Sequence, residues 1–161
     1  MLYLIIAPLL VVGTVVLHAA GFSFILKSLS KTQLEQPAQT WPVTWLLIKV
    51  TLMLTLIHFA EILLWASAYM WTGCIPDPDA ALYFSGITYT TIGYGDVVLP
   101  NPWHILAPVE GLMGILMCGL STGLFFAVVC RIYVFRLQKD HRSNPHAQSS
   151  THQDIDFYCQ Q

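Results

Sequence analysis

The chain has 161 residues, of which 55% are hydrophobic and only 10% charged, with a formal net charge of −2. A water-soluble domain would be about 25% charged, so most of this surface is read as facing lipid. The slight acidity, without any basic arm, argues against a nucleic-acid partner.

Residues 1–26 ("MLYLIIAPLLVVGTVVLHAAGFSFIL") hold no charged side chain and are long enough to cross ~30 Å of hydrocarbon. They lack the basic start of a secretory leader, and their apolar run exceeds the usual ~7–15 residues. They read as a retained N-terminal transmembrane helix, followed by a cytoplasmic linker over 27–42. A second apolar run, 43–72, is interrupted by Lys49 and Glu61. At ~1.5 Å per residue it outreaches the bilayer, so it should tilt or project. Lys49 would snorkel towards the interface.

The third apolar run, 103–135, carries Glu110 near its start. Trp41, Trp45, Trp65, Trp71 and Trp103 lie towards the ends of the second and third runs, as interface anchors do. Residues 136–161 are polar and unpatterned and read as a disordered cytoplasmic tail. Its histidines, His141, His146 and His152, have no metal-ligand spacing. The cysteines Cys74, Cys118, Cys130 and Cys159 form no C-x-x-C pair, so neither a metal knuckle nor a disulfide framework is legible. Cys74 reads as a free thiol.

Charge orients the spans. Lys27, Lys31 and Lys49 form one basic region, and Arg131, Arg136, Lys139 and Arg142 the other. The connection between the second and third runs holds Asp77, Asp79 and Asp96 instead. Excess positive charge stays cytoplasmic, so the 73–102 connection and the N-terminus lie outside and the C-terminus inside.

Within that outer connection, "AALYFSGITYT" suggests a helix over 80–90 that is only half a membrane long. Then comes "TTIGYGD", Thr90 to Asp96. A half-span helix that returns through glycine-rich chain is a re-entrant loop. Non-helical backbone survives at membrane depth only when buried in protein or lining a water-filled path. Stacked backbone carbonyls can replace the hydration shell of a cation. Pointing successive carbonyls the same way requires unusual backbone angles at alternate residues, which glycine reaches without steric cost. Gly93 and Gly95 flank Tyr94 for that reason.

This segment resembles the selectivity filter of potassium channels, T-x-G-Y-G-D. The stretch 43–135 resembles their outer helix (43–72), pore helix (80–90), filter (91–96) and inner helix (103–135). The whole is similar to small bacterial channels of the two-helix ion channel family, with one extra N-terminal helix. The resemblance implies an all-α membrane protein with three transmembrane helices and a re-entrant pore loop, residing in the plasma (bacterial inner) membrane. It implies K⁺ as the transported ion, coordinated by carbonyls of Thr91, Ile92, Gly93 and Tyr94 and by the Thr91 hydroxyl. Thr90, Gly95 and Asp96 would complete the loop geometry, and no cofactor is required. One filter per chain requires a homotetramer, since a ring of carbonyls needs about four loops.

Some bacterial relatives carry a pore-helix Glu that braces the terminal Asp. Here that position is Ile87, so Glu110, Tyr89 or Trp103 is expected to share the bracing of Asp96. Tyr83 and Phe84 occupy the place of an aromatic pair that braces the filter. Gly114 and Gly119 are both possible gating hinges on the inner helix. Gly119, Gly123 and Ala127 form a small-residue stripe that allows close helix approach. Ser121 or Thr122 would add a polar group to the cavity. His58 and Glu61, three residues apart, can share a helix face, either as a satisfied polar contact or as a proton-sensitive pair. No span has the Arg repeat of a voltage sensor. A non-conducting scaffold or regulatory subunit is the alternative reading. An enzyme is disfavoured, because no nucleophile has a placed base and no H-E-x-x-H or phosphate loop occurs.

Overall fold

The computed structural model describes residues 3–31 and 40–143. The chain order is α1 (Tyr3–Lys31), α2 (Thr40–Trp71), α3 (Pro78–Tyr89), a 3₁₀ turn at Trp103–Ile105, and α4 (Leu106–Ser143). Among the described residues three helices are long and apolar enough to cross a membrane, over Tyr3–Leu29, Val43–Trp71 and Trp103–Val134. The protein is an all-α, multi-pass membrane protein. On α1 the side chains of Ile5, Leu9, Val12 and Val16 are exposed, and on α2 those of Leu52, Leu56, Phe59 and Leu63. Such helical stripes of bare hydrocarbon are stable only against lipid or a partner chain.

Helix ends differ from the sequence reading. α1 continues past residue 26 to Lys31, and α2 begins at Thr40, so both margins of the expected linker are helical. Residues 32–39 lie outside the described residues. Pro42 does not stop α2, because the first turn of a helix needs no N–H there. At the other end α4 runs through 136–143, over the start of the expected disordered tail. Arg136, Leu137, Gln138 and Lys139 are all good helix formers. Residues 144–161 lie outside the described residues.

By its contacts the chain divides into two units, 1–32 with 52–121, and 33–51 with 122–161. In the second, Leu46 and Val50 of α2 and Val128 of α4 are buried. The first holds α3 and the loop after it. Its core joins Ile6 and Leu10 of α1, Trp65 and Tyr69 of α2, Phe84 and Tyr89 of α3, and Leu106, Met113 and Met117 of α4.

Helix α1 packs on α2 through small residues. A Cβ on Gly21 would lie 2.5 Å from Ile57 Cδ1, and one on Gly13 3.4 Å from Leu64. Trp65 is not an interface anchor: it is fully buried, and its Nε1–H donates to Thr14 Oγ1 at 3.0 Å. The Thr14 hydroxyl in turn donates to the Leu10 carbonyl at 2.8 Å. A buried indole N–H needs a partner, and α1 supplies it. Cys74 is a free thiol that accepts from the Thr72 hydroxyl at 3.0 Å.

Candidate functional site: the loop after the half-span helix

Helix α3 starts two residues before the expected Ala80. Asp77 is its cap: the backbone there is extended (φ −76°, ψ 123°) and the side chain accepts from Ala80 N–H at 2.9 Å. Pro78 fills the first helical position, where its missing N–H costs nothing. "DPDA" is thus a helix start signal. At ~1.5 Å per residue α3 is ~18 Å long, too short to cross a bilayer.

The carbonyls at the end of a helix lack helical partners, and here the following loop supplies them. Thr91 N–H donates to Thr88 O at 3.0 Å, and Gly93 N–H to Ile87 O at 3.0 Å. The Thr90 N–H and hydroxyl both reach Gly86 O, at 3.1 Å and 2.7 Å. The loop is therefore folded back on the C-terminal turn of α3, where the helix dipole places partial negative charge.

Within the loop positive φ recurs at every second residue: 61° at Thr91, 53° at Gly93 and 76° at Gly95. The glycines take this conformation freely. Thr91 does not, being β-branched, and among the described residues it is the one non-glycine with positive φ. Such a residue stores ~1–3 kcal/mol of strain and tends to occur at functional sites. Between these positions Ile92 is 56% and Tyr94 71% exposed, so two large side chains point away from the chain's own core. An open groove of about 320 Å³ runs beside the loop, bordered by Thr91, Gly93, Gly95, Val97, His104 and Gly111.

The terminal aspartate is held from α3. Asp96 Oδ2 accepts from the Tyr83 hydroxyl at 2.8 Å, and Oδ1 accepts from Val97 N–H at 3.1 Å. The hydrogen bond to the carboxylate holds the Tyr83 hydroxyl above the ordinary tyrosine range. Phe84 turns inward instead and meets the Tyr69 ring edge-on, with centroids 5.2 Å apart.

Glu110 does not brace Asp96. It is fully buried and its two oxygens are engaged elsewhere, one accepting from Tyr69 Oη at 2.6 Å, the other from Ser85 Oγ at 2.5 Å. Ser85 also lies 2.9 Å from the Ile62 carbonyl. Glu110 therefore ties the body of α3 to α2 and α4, one layer away from the loop. Tyr89 likewise turns from the loop and donates to Glu61. Trp103 packs against the buried core.

The two glycines of α4 differ sharply. A Cβ on Gly114 would lie 1.9 Å from the Tyr89 carbonyl oxygen, whereas one on Gly119 meets nothing within 4 Å. Gly114 is where α4 passes against the end of α3, which gives it a packing role. Ser121 is buried beside His58, its Oγ 2.9 Å from Nε2, instead of facing a cavity.

Sequence reasoning placed Tyr83 beside the loop but missed its bond to Asp96. The spacing from 83 to 96 carries no local periodicity that would signal it. Ser85, Tyr69 and Thr14 were also missed, since a single hydroxyl in an apolar run has no pattern.

No curated protein and no solved structure matches the chain. The pattern of the ion channel family matches residues 53–131, which span most of α2, all of α3 with its loop, and α4 as far as Arg131. Helix α1 precedes that stretch as an additional apolar helix. Through residues 53–131, this chain belongs to the ion channel family.

Proposed function

We propose that the chain is the subunit of a passive, potassium-selective channel. In this reading the carbonyls of Thr91, Ile92, Gly93 and Tyr94, with the Thr91 hydroxyl, coordinate K⁺. The observation that carries it is the alternation of positive φ at Thr91, Gly93 and Gly95. Alternating left- and right-handed backbone turns successive carbonyls to one side, giving a column of oxygens that substitutes for water around a cation. The partial negative charge at the end of α3 favours the same ion.

One loop supplies one quarter of such a ring, so the pore is a homotetramer. The exposure of Ile92, Tyr94 and Val98, at 56%, 71% and 74%, supports this, because neighbouring copies would cover apolar groups left bare on one chain. The basic residues lie on the linker side of α1 and α2 and at the end of α4, which supports an outside N-terminus and a cytoplasmic C-terminus in the plasma membrane.

Uptake of ⁸⁶Rb⁺ into proteoliposomes tests the reading. K⁺-loaded vesicles should accumulate Rb⁺, and external K⁺ should compete while Na⁺ should not. Equal competition by Na⁺ would contradict potassium selectivity.

A further inference from the structure

A second polar cluster lies apart from the Thr90–Asp96 loop and takes no part in the proposed ion path. It draws on all four helices. His18 of α1 and His58 of α2 both direct Nδ1 at the Glu61 carboxylate, 2.8 Å from Oε1 and 3.2 Å from Oε2. The Tyr89 hydroxyl of α3 contacts Oε2 and lies 2.9 Å from His58 Nδ1. The opposite ring nitrogens converge on one hydroxyl of α4: Ser121 Oγ is 2.9 Å from His58 Nε2 and 3.5 Å from His18 Nε2. Glu61 is fully buried, and His18, Tyr89 and Ser121 nearly so.

With the carboxylate ionised and both imidazoles neutral, this cluster carries one negative charge, and among the described residues neither Lys nor Arg forms an ion pair with it. A buried charge is costly unless a cation compensates it. The ring orientations suit either a shared proton or a metal ion. If Nδ1–H groups faced the carboxylate, both Nε2 atoms would be acceptors, and the single Ser121 proton could serve only one. If Nε2 carries the proton on both rings, the serine oxygen accepts from both, and two bare Nδ1 lone pairs converge on Glu61. That arrangement is what a transition metal requires: imidazole nitrogens inward, their remaining N–H groups held by an outer acceptor. His18 Nδ1 and His58 Nδ1 lie 2.8 Å and 3.2 Å from the Glu61 carboxylate oxygens, so a small movement apart would let one ion ~2.0–2.2 Å from each ligand sit among them.

We propose that His18, His58 and Glu61, with the Tyr89 hydroxyl donating to the carboxylate and Ser121 as the outer acceptor, form a binding site for a divalent first-row transition metal such as Zn²⁺. Two nitrogen donors disfavour Mg²⁺ and Ca²⁺, which prefer all-oxygen sets. The bound ion would fasten α1 to α2 and to the last residue of α3. A single proton shared with the imidazoles would also balance the charge, so the experiment must separate the two.

The site is tested on the full chain purified in detergent, carrying His141→Asn, His146→Asn and His152→Asn to silence the tail. Binding is read without current, so it stands or falls apart from the channel reading. One Zn²⁺ per chain should survive desalting, and X-ray absorption should show nitrogen and oxygen neighbours at ~2.0–2.1 Å with imidazole scattering. Zn²⁺ but not Mg²⁺ should raise the melting temperature. Ser121→Ala, which leaves every ligand in place, should weaken affinity by about 10–100-fold. His18→Asn should abolish retention. Should that variant not fold, the visible spectrum of Co²⁺ bound to the otherwise unaltered chain still reports tetrahedral nitrogen and oxygen ligands. Failure to retain Zn²⁺, retention that survives His18→Asn, or a melting temperature that follows pH and ignores Zn²⁺ would each overturn the metal site. The last outcome would leave a proton as the occupant.

Discussion

At the scale of single residues the loop is governed by backbone strain and by one hydroxyl. A Cβ on Gly95 meets no atom within 4 Å, so Gly95→Ala tests conformation rather than crowding. An L-residue held left-handed costs ~1–2 kcal/mol. The variant is predicted to keep its helical circular dichroism and lose K⁺ over Na⁺ discrimination in flux. Tyr83→Phe deletes the donor to Asp96 Oδ2. Macroscopic current through that variant should decay faster during sustained opening, while its helix content is unchanged. The Tyr83 hydroxyl titrates above the ordinary tyrosine range, so the contribution of this bond is complete at neutral pH. It is lost only as pH rises through that raised value. Glu110→Ala strands the buried Tyr69 hydroxyl, at ~1–3 kcal/mol, while Ser85 keeps the Ile62 carbonyl, and should lower the melting temperature beyond Glu110→Gln, which keeps one acceptor.

At this scale the sequence was legible where a residue type itself signals geometry. Gly93 and Gly95 announce positive φ, but Thr91 does not, and only the folded loop shows that it extends the same alternation. Glu110 was recognisable as a costly charge inside a span. Its partners, 41 and 25 residues distant, depend on how helices pack, which single-helix periodicity does not encode.

Among the elements, α3 and its contacts decide the outcome. The pattern of long apolar runs around a half-span helix was readable because hydrocarbon thickness fixes helix length. Boundaries were less so: α3 begins at Pro78, two residues before the expected start, and α4 continues over polar residues that are good helix formers. Trp65 resembled an interface anchor by its place near a run's end, yet it is buried on Thr14. Among the glycines the tightest approach is at Gly114, where a Cβ would meet the Tyr89 carbonyl at 1.9 Å. Backbone cannot yield as a flexible side chain does, so Gly114→Ala should push α4 from the end of α3 and abolish assembly on size exclusion. Gly119→Ala, with open space around it, should assemble normally. The reverse pattern would return the packing role to Gly119.

For the whole molecule the question is how one chain of 161 residues supplies a closed path for an ion. The apolar stripes on α1 and α2 are suited to lipid, whereas the loop exposes Ile92 and Tyr94 beside backbone polar groups that lipid cannot satisfy. Other copies of the chain can satisfy both. The most direct measurement is the reversal potential of single channels in planar bilayers with K⁺ on one side and Na⁺ on the other, with Gly93→Ala run in parallel. Reversal is expected close to the K⁺ equilibrium potential, with that selectivity lost in the variant. A reversal potential near zero for the unaltered chain would contradict it.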